Sequence, residues 1–109
     1  MPDARPINAT CPDCRGPLSE VVENGVREYR CLVEHRFSDL ALLHAHSDTQ
    51  ERALWSAVVA LEEAVVIANE VASHQPLLAS SLRQEAALKQ SQADVVRGVL
   101  ETLKPFTTD

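Results

Sequence analysis

The chain predicts a mainly α-helical fold preceded by a small β-hairpin, and three observations carry that reading. Cys11-Pro12-Asp13-Cys14 is followed by Cys31 and His35, so four metal-ligand side chains fall in two close pairs. Between the pairs, Asn24-Gly25 is flanked by Val21-Val22 and Val26, the pattern of a tight hairpin turn. From Ser47 onward the composition changes to long apolar-periodic runs, broken at Pro76 and stopped at Pro105.

The N-terminal residues 1–8 contain two prolines and no apolar run, which predicts a flexible N-terminus without a secretory leader. Residues 9–38 form the expected ribbon. Two cysteines separated by two residues can reach one ion because the chain between them makes a tight knuckle. Pro12 fixes one φ angle in that knuckle, and Gly16 is expected to supply a positive φ beneath the metal. The return of the hairpin brings Cys31 and His35 to the same end. Cys11, Cys14, Cys31 and His35 are therefore the expected ligands of one structural Zn²⁺ per chain, in a zinc-ribbon arrangement. Three thiolates and a neutral imidazole give such a site a formal charge of about −1. Arg15, Arg30 and Arg36 stand beside the ligands and are positioned in sequence to offset it.

Competing readings follow from the same residues. Three cysteines cannot all pair as disulfides, and a chain without a leader points to the reducing cytoplasm, where paired cysteines are more often ligands. Cys11 and Cys14 alone fit a redox C-x-x-C, but no βαβ pattern surrounds them. Iron in the same ligand set is a variant disfavoured by the imidazole. His44, His46 and His74 are alternative fourth ligands; His35 is preferred because it lies four residues after Cys31.

Residues 39–46 predict a short connecting helix, and residues 47–104 a two-helix hairpin. Ser47 with Gln50 matches a capping box. Leu54, Val58, Leu61, Val65, Ala68 and Ala72 then alternate in steps of four and three, the seam of a coiled coil or bundle. Trp55, Val59 and Val66 form a second stripe beside it. The helix should end near Ser73 or His74, because a residue before proline avoids helical geometry. A second helix is expected from about Leu77 to Lys104, with Leu78, Leu82, Ala86, Ala93, Val96, Leu100 and Leu103 along its seam. Gly98 weakens it by about 1 kcal/mol relative to alanine and is a candidate close contact. Residues 105–109 are a tail. Each helix spans about 38 Å at ~1.5 Å per residue. Two helices cannot cover both stripes of the first one. The expectation is a homodimer with a four-helix bundle; the alternative is that Trp55, Val59 and Val66 pack beneath the ribbon.

Composition narrows function. Of 109 residues, 16 are acidic and 10 are Lys or Arg, a net charge of −6, so there is no overall basic character to neutralise phosphates. Nucleic-acid binding is kept as an alternative only through a local patch of Arg15, Arg27, Arg30 and Arg36. No run of eighteen apolar residues exists, which argues against a membrane span. Four protein ligands leave a zinc ion no open position, so the metal is expected to hold the fold. The enzymatic alternative needs a reactive Cys11 or Cys14 thiol, or a zinc lacking His35 and holding water beside Glu34 as general base.

Taken together, Cys11-Pro12-Asp13-Cys14-Arg15-Gly16-Pro17-Leu18, then Tyr29 to Ser38, then Glu51-Arg52-Ala53-Leu54-Trp55-Ser56-Ala57 with Leu61-Glu62-Glu63, resemble a known extension. It is the C-terminal zinc-ribbon and helix extension of some bacterial chemotaxis-type protein-glutamate methylesterases. The similarity covers roughly residues 9–72. The resemblance implies the same four zinc ligands and a setting near bacterial signalling proteins. That family usually carries glycine where this chain has Glu34. No Gly-x-Ser-x-Gly elbow is present, so the esterase reaction does not follow. The expected role is a non-enzymatic zinc-ribbon helical module for dimerisation and protein–protein interaction.

Overall fold

The computed structural model of the chain describes residues 3–103, the side chain of Asp3 excepted. Among these residues four strands precede two helices: β1 (Asp3–Thr10), β2 (Pro17–Glu23), β3 (Val26–Arg30), β4 (Arg36–Phe37), α1 (Asp39–His74) and α2 (Ala79–Thr102). This is the small β region plus helical hairpin that the sequence predicts. The expected tail, 105–109, and Lys104 lie outside the described residues. The chain forms two compact units, one reaching Thr49 and the other beginning at Gln50.

In the first unit the strands make one antiparallel sheet in the order β1-β2-β3-β4. The turn between β2 and β3 is the two-residue Asn24-Gly25 loop, with φ of 54° and 77°. Both values lie in the left-handed region that a primed hairpin turn requires. β1 differs from the expectation of a flexible N-terminus over residues 1–8. It runs antiparallel to β2, pairing Ala4 with Val21, Arg5 with Glu20 and Pro6 with Ser19 before a register shift ahead of Thr10. The reason is positional. β1 is an edge strand, the place where a sheet tolerates a proline, which lacks the N–H. Arg5 donates to Glu20 at 2.7 Å directly across the pair. β4 closes the other edge by pairing Phe37 with Tyr29.

α1 also departs from the expected boundaries. It begins at Asp39 and continues through Ser47, so the connecting helix and the first long helix are one element. The N-cap is Ser38, whose Oγ accepts the Ala41 N–H at 3.2 Å. Nothing between Ser38 and Pro76 breaks a helix, and the polar stretch at 47–50 is absorbed. Thr49 turns its hydroxyl back to the Ala45 carbonyl at 3.0 Å.

In the second unit all six expected seam residues of α1, from Leu54 to Ala72, are buried or half-buried, as are Leu82, Ala86, Ala93, Val96 and Leu100 on α2. Leu78 and Leu103, assigned to the second seam, fall just outside α2 and are exposed. The seam is interrupted at the half-buried Lys89, which pairs with Glu85 at 3.6 Å. Arg97 grips Glu62 with two nitrogens, at 2.7 and 3.2 Å, and lies 5.6 Å from the Trp55 ring centre. Gly98 faces open space rather than a close neighbour. No described helix is long and apolar enough to cross a membrane.

Candidate metal centre

The four ligand candidates come from two turns at one end of the sheet. The first joins β1 to β2. The Cys11 N–H donates to the Gly16 carbonyl at 2.7 Å and the Arg15 N–H returns to the Cys11 carbonyl at 2.8 Å. The second joins β3 to β4. There the Glu34 N–H donates to the Cys31 carbonyl at 3.0 Å, and the Cys31 N–H to the His35 carbonyl at 3.2 Å. Each turn needs one residue in the left-handed region, and these are Arg15 and Glu34, both at φ 66°.

That placement corrects the expectation for Gly16. Its φ is not positive; the conformational burden falls one residue earlier, on Arg15. Gly16 serves a different need: a Cβ there would lie 3.4 Å from the Cys14 sulfur. Glu34 occupies its turn with the geometry that a glycine would adopt without cost.

The turns bring Cys11, Cys14, Cys31 and His35 together, with all four donor atoms within 4.8 Å of one another. Cys14 Sγ lies 3.6 Å from Cys31 Sγ. His35 presents Nδ1 to the sulfurs, 3.5 Å from Cys11 Sγ and 3.4 Å from Cys31 Sγ. A disulfide needs ~2.05 Å between sulfurs, and all three cysteines are free. Such a cluster of three thiols and an imidazole could hold a metal ion. The other histidines go elsewhere. His46 Nε2 donates to the Thr10 carbonyl at 2.9 Å, His44 faces Asp48 at 3.6 Å and His74 faces Glu70 at 3.2 Å.

The surroundings favour a thiolate at Cys31. Burial pushes its thiol up, but the backbone N–H groups of His35 and Val33, with Cys14 and the His35 ring, outweigh that and hold it at about 7. The His35 N–H reaches the sulfur at 3.3 Å. At Cys14 the Gly16 N–H favours the thiolate, yet desolvation and the adjoining Cys31 and Cys11 sulfurs together raise the thiol above its ordinary value. Crowded sulfurs resist ionising together without a cation between them.

Beneath the cluster lies a small apolar core. Cys11, Leu18 and Cys31 are buried, and Ile7, Ala9, Phe37 and Leu42 pack against them. The contributions of Ile7 and Ala9 come from β1, which sequence periodicity did not reveal. The contact between His46 and Thr10, one residue before the first ligand, spans 36 positions and leaves no local signal. Of the arginines expected to offset the site, Arg30 is committed to Glu28 at 2.9 Å and Glu23 at 3.4 Å.

Comparison with known proteins finds no matching family model, no matching curated protein and no matching solved structure.

Proposed function

We propose that the chain is a non-enzymatic interaction module, in which a ribbon braced by one structural Zn²⁺ presents a helical hairpin that pairs with a second copy. The observation that carries the pairing is the apolar surface left on the helices. Trp55, Val59 and Val66 are 44%, 52% and 67% exposed. Ile67 and Val71 on α1, and Leu88, Val95 and Val99 on α2, are exposed as well. Trp55, Val59 and Val66 follow one stripe of α1, and an exposed apolar stripe is the kind of surface that marks an interface. One side of a standard interface is ~800 Å². A four-helix bundle of two hairpins is the simplest closed arrangement that covers it.

The metal reading rests on donor spacing. With Zn–S ~2.3 Å and Zn–N ~2.0 Å, tetrahedral edges are ~3.8 Å between sulfurs and ~3.5 Å between sulfur and nitrogen. The separations of 3.6 Å for the sulfur pair and 3.4–3.5 Å to His35 Nδ1 match that scale. Coordination through Nδ1 leaves the His35 proton on Nε2. Four protein donors fill a tetrahedron, which favours a bracing role over catalysis. Arg5, Arg27 and Arg30 are spent on Glu20, Glu23 and Glu28, which weakens the case for a nucleic-acid surface.

Native mass spectrometry of the reduced, untagged protein tests both halves at once. The expected species is a dimer carrying one zinc per chain. A metal-free monomer overturns both halves, and a zinc-loaded monomer overturns the pairing alone.

A further inference from the structure

The three cysteines of the cluster differ in exposure. Cys11 is 0% exposed and Cys31 6%, whereas Cys14 is open to solvent. Residue 16 is glycine, so no side chain shields Cys14 from that flank; a Cβ there would stand 3.4 Å from the sulfur. Cys14 Sγ lies 3.6 Å from the sulfur of Cys31, a residue that is almost fully covered. Exposure and a neighbouring cysteine to resolve the product are two features of an oxidisable site; the third, thiolate character, is what metal coordination would supply to Cys14.

On the reading of Cys11, Cys14, Cys31 and His35 as a metal site, we infer that Cys14 is its oxidation point: peroxide oxidises Cys14, and Cys31 resolves the product as a Cys14–Cys31 disulfide. The chemistry balances with peroxide as the only co-reactant. The Cys14 thiolate attacks one peroxide oxygen, the O–O bond breaks, and a sulfenic acid forms with release of hydroxide. The Cys31 thiolate then attacks the Cys14 sulfur and expels a second hydroxide as the S–S bond forms. Two thiolates lose two electrons in total, and one peroxide is reduced to two hydroxides. The sulfurs must close from 3.6 Å to ~2.05 Å, a movement the exposed Cys14 turn can make. The disulfide removes two of the four donors. Cys11 and His35 alone cannot fill a four-coordinate site, so the metal is lost with the oxidation.

Cys11 and Cys31 share the core with Leu18 alike, so Cys31 is preferred to the alternative linkage, Cys11 to Cys14, on the 3.6 Å approach of its sulfur to that of Cys14. The two linkages are separable by cleavage after arginine. Cuts after Arg15 and Arg30 leave Cys11 and Cys14 in one peptide and Cys31 in another. A bond from Cys14 to Cys31 joins two peptides, and a bond between Cys11 and Cys14 joins none. Fragmentation between Cys11 and Cys14 shows which of them holds Cys31.

The test treats reduced, zinc-loaded protein with hydrogen peroxide, follows free zinc with a chromogenic chelator and maps the linkage by mass spectrometry. The expected result is release of one zinc per chain, loss of two hydrogen atoms and a Cys14–Cys31 bond, all reversed by reductant and fresh zinc. Retention of zinc under peroxide, a Cys11–Cys14 bond, or a sulfinic acid on an unpaired cysteine overturns the inference. Iodoacetamide gives an independent readout on the untreated protein: Cys14 should be alkylated before Cys11 and Cys31, and equal rates overturn it too. A reduced protein that takes up no zinc refutes the metal reading instead, and peroxide mapping on that protein still decides the linkage.

Discussion

Among the described residues up to Thr49, the buried hydrophobic ones are Cys11, Leu18, Val21 and Cys31; from Gln50 onward they are Val58, Ala72, Ala86 and Ala93. In the first unit two of the four are candidate metal ligands. In the second, three of the four are alanines. The β unit is small, and on the proposed reading coordination would take over part of the work that a larger apolar core performs in bigger domains. The helical unit has two long elements whose alanines permit close approach but bury little area per residue. Apart from Val58, its larger apolar side chains are half-buried or exposed. On the proposed function, one unit would be completed from within, by an ion, and the other from outside, by a second copy.

Removing the metal should break the comparison most sharply. Structural zinc contributes ~10–16 kcal/mol of apparent binding free energy in zinc-finger peptides, so chelation should collapse the NMR dispersion of residues up to Thr49. Helical circular dichroism from the second unit should survive. A ribbon spectrum indifferent to chelator would show that the apolar core suffices.

Leu18→Ala addresses that core directly. Leu18 is among the largest fully buried side chains, and its truncation should cost roughly 2–5 kcal/mol. The loss should appear as weaker zinc affinity, because binding and folding of the ribbon are one equilibrium. Unchanged affinity would mean that the ligands fold the ribbon without help from packing.

Val66→Glu tests the outer surface of the second unit. In an isolated hairpin this exposed position should tolerate the charge. Across a dimer interface the change should weaken association at least tenfold, about 1.4 kcal/mol, in sedimentation equilibrium. Equal dissociation constants for the two proteins would move the interface to another face.

Glu34→Gly should act in the opposite direction. A left-handed residue with a side chain costs ~1–2 kcal/mol, partly balanced by the greater freedom of glycine in the unfolded chain. The net gain should be roughly 1 kcal/mol or less, read as tighter zinc binding. A loss would assign Glu34 a contact that outweighs its backbone cost.

The smallest effect concerns Glu62 and Arg97. Hydrogen bonding to Arg97 holds the Glu62 carboxyl below the ordinary value of 4.5. A lowered folded value contributes stability that is present above the ordinary value and lost as pH falls through the folded one. Arg97→Met should flatten that acid dependence of the thermal midpoint, with a modest effect because the pair is partly solvated. An unaltered acid limb would mean that other carboxylates set it.

Much of this molecule was legible before any coordinates. The spacing of Cys11, Cys14, Cys31 and His35 identifies a cluster because ligand geometry is short-range, and Asn24-Gly25 identifies its turn for the same reason. The seam from Leu54 to Ala72 follows from helical periodicity alone. What local pattern could not supply lies in pairings between distant residues. β1 is a strand because Arg5 and Ala4 find partners on β2, and nothing in residues 3–10 announces that. Ser47 resembles a helix start, but whether a capping pattern begins a helix depends on whether the preceding turn is already helical, as it is from Asp39. Arg15, rather than Gly16, takes the positive φ because the closing hydrogen bonds of the knuckle set backbone angles, and composition does not. The sequence by itself determined the candidate cluster and the helical seams, because close pairs of donors and helical periodicity are both local patterns. Tertiary structure alone decided the edge strand, the helix boundary and which cysteine is exposed, since those depend on groups far apart in the chain.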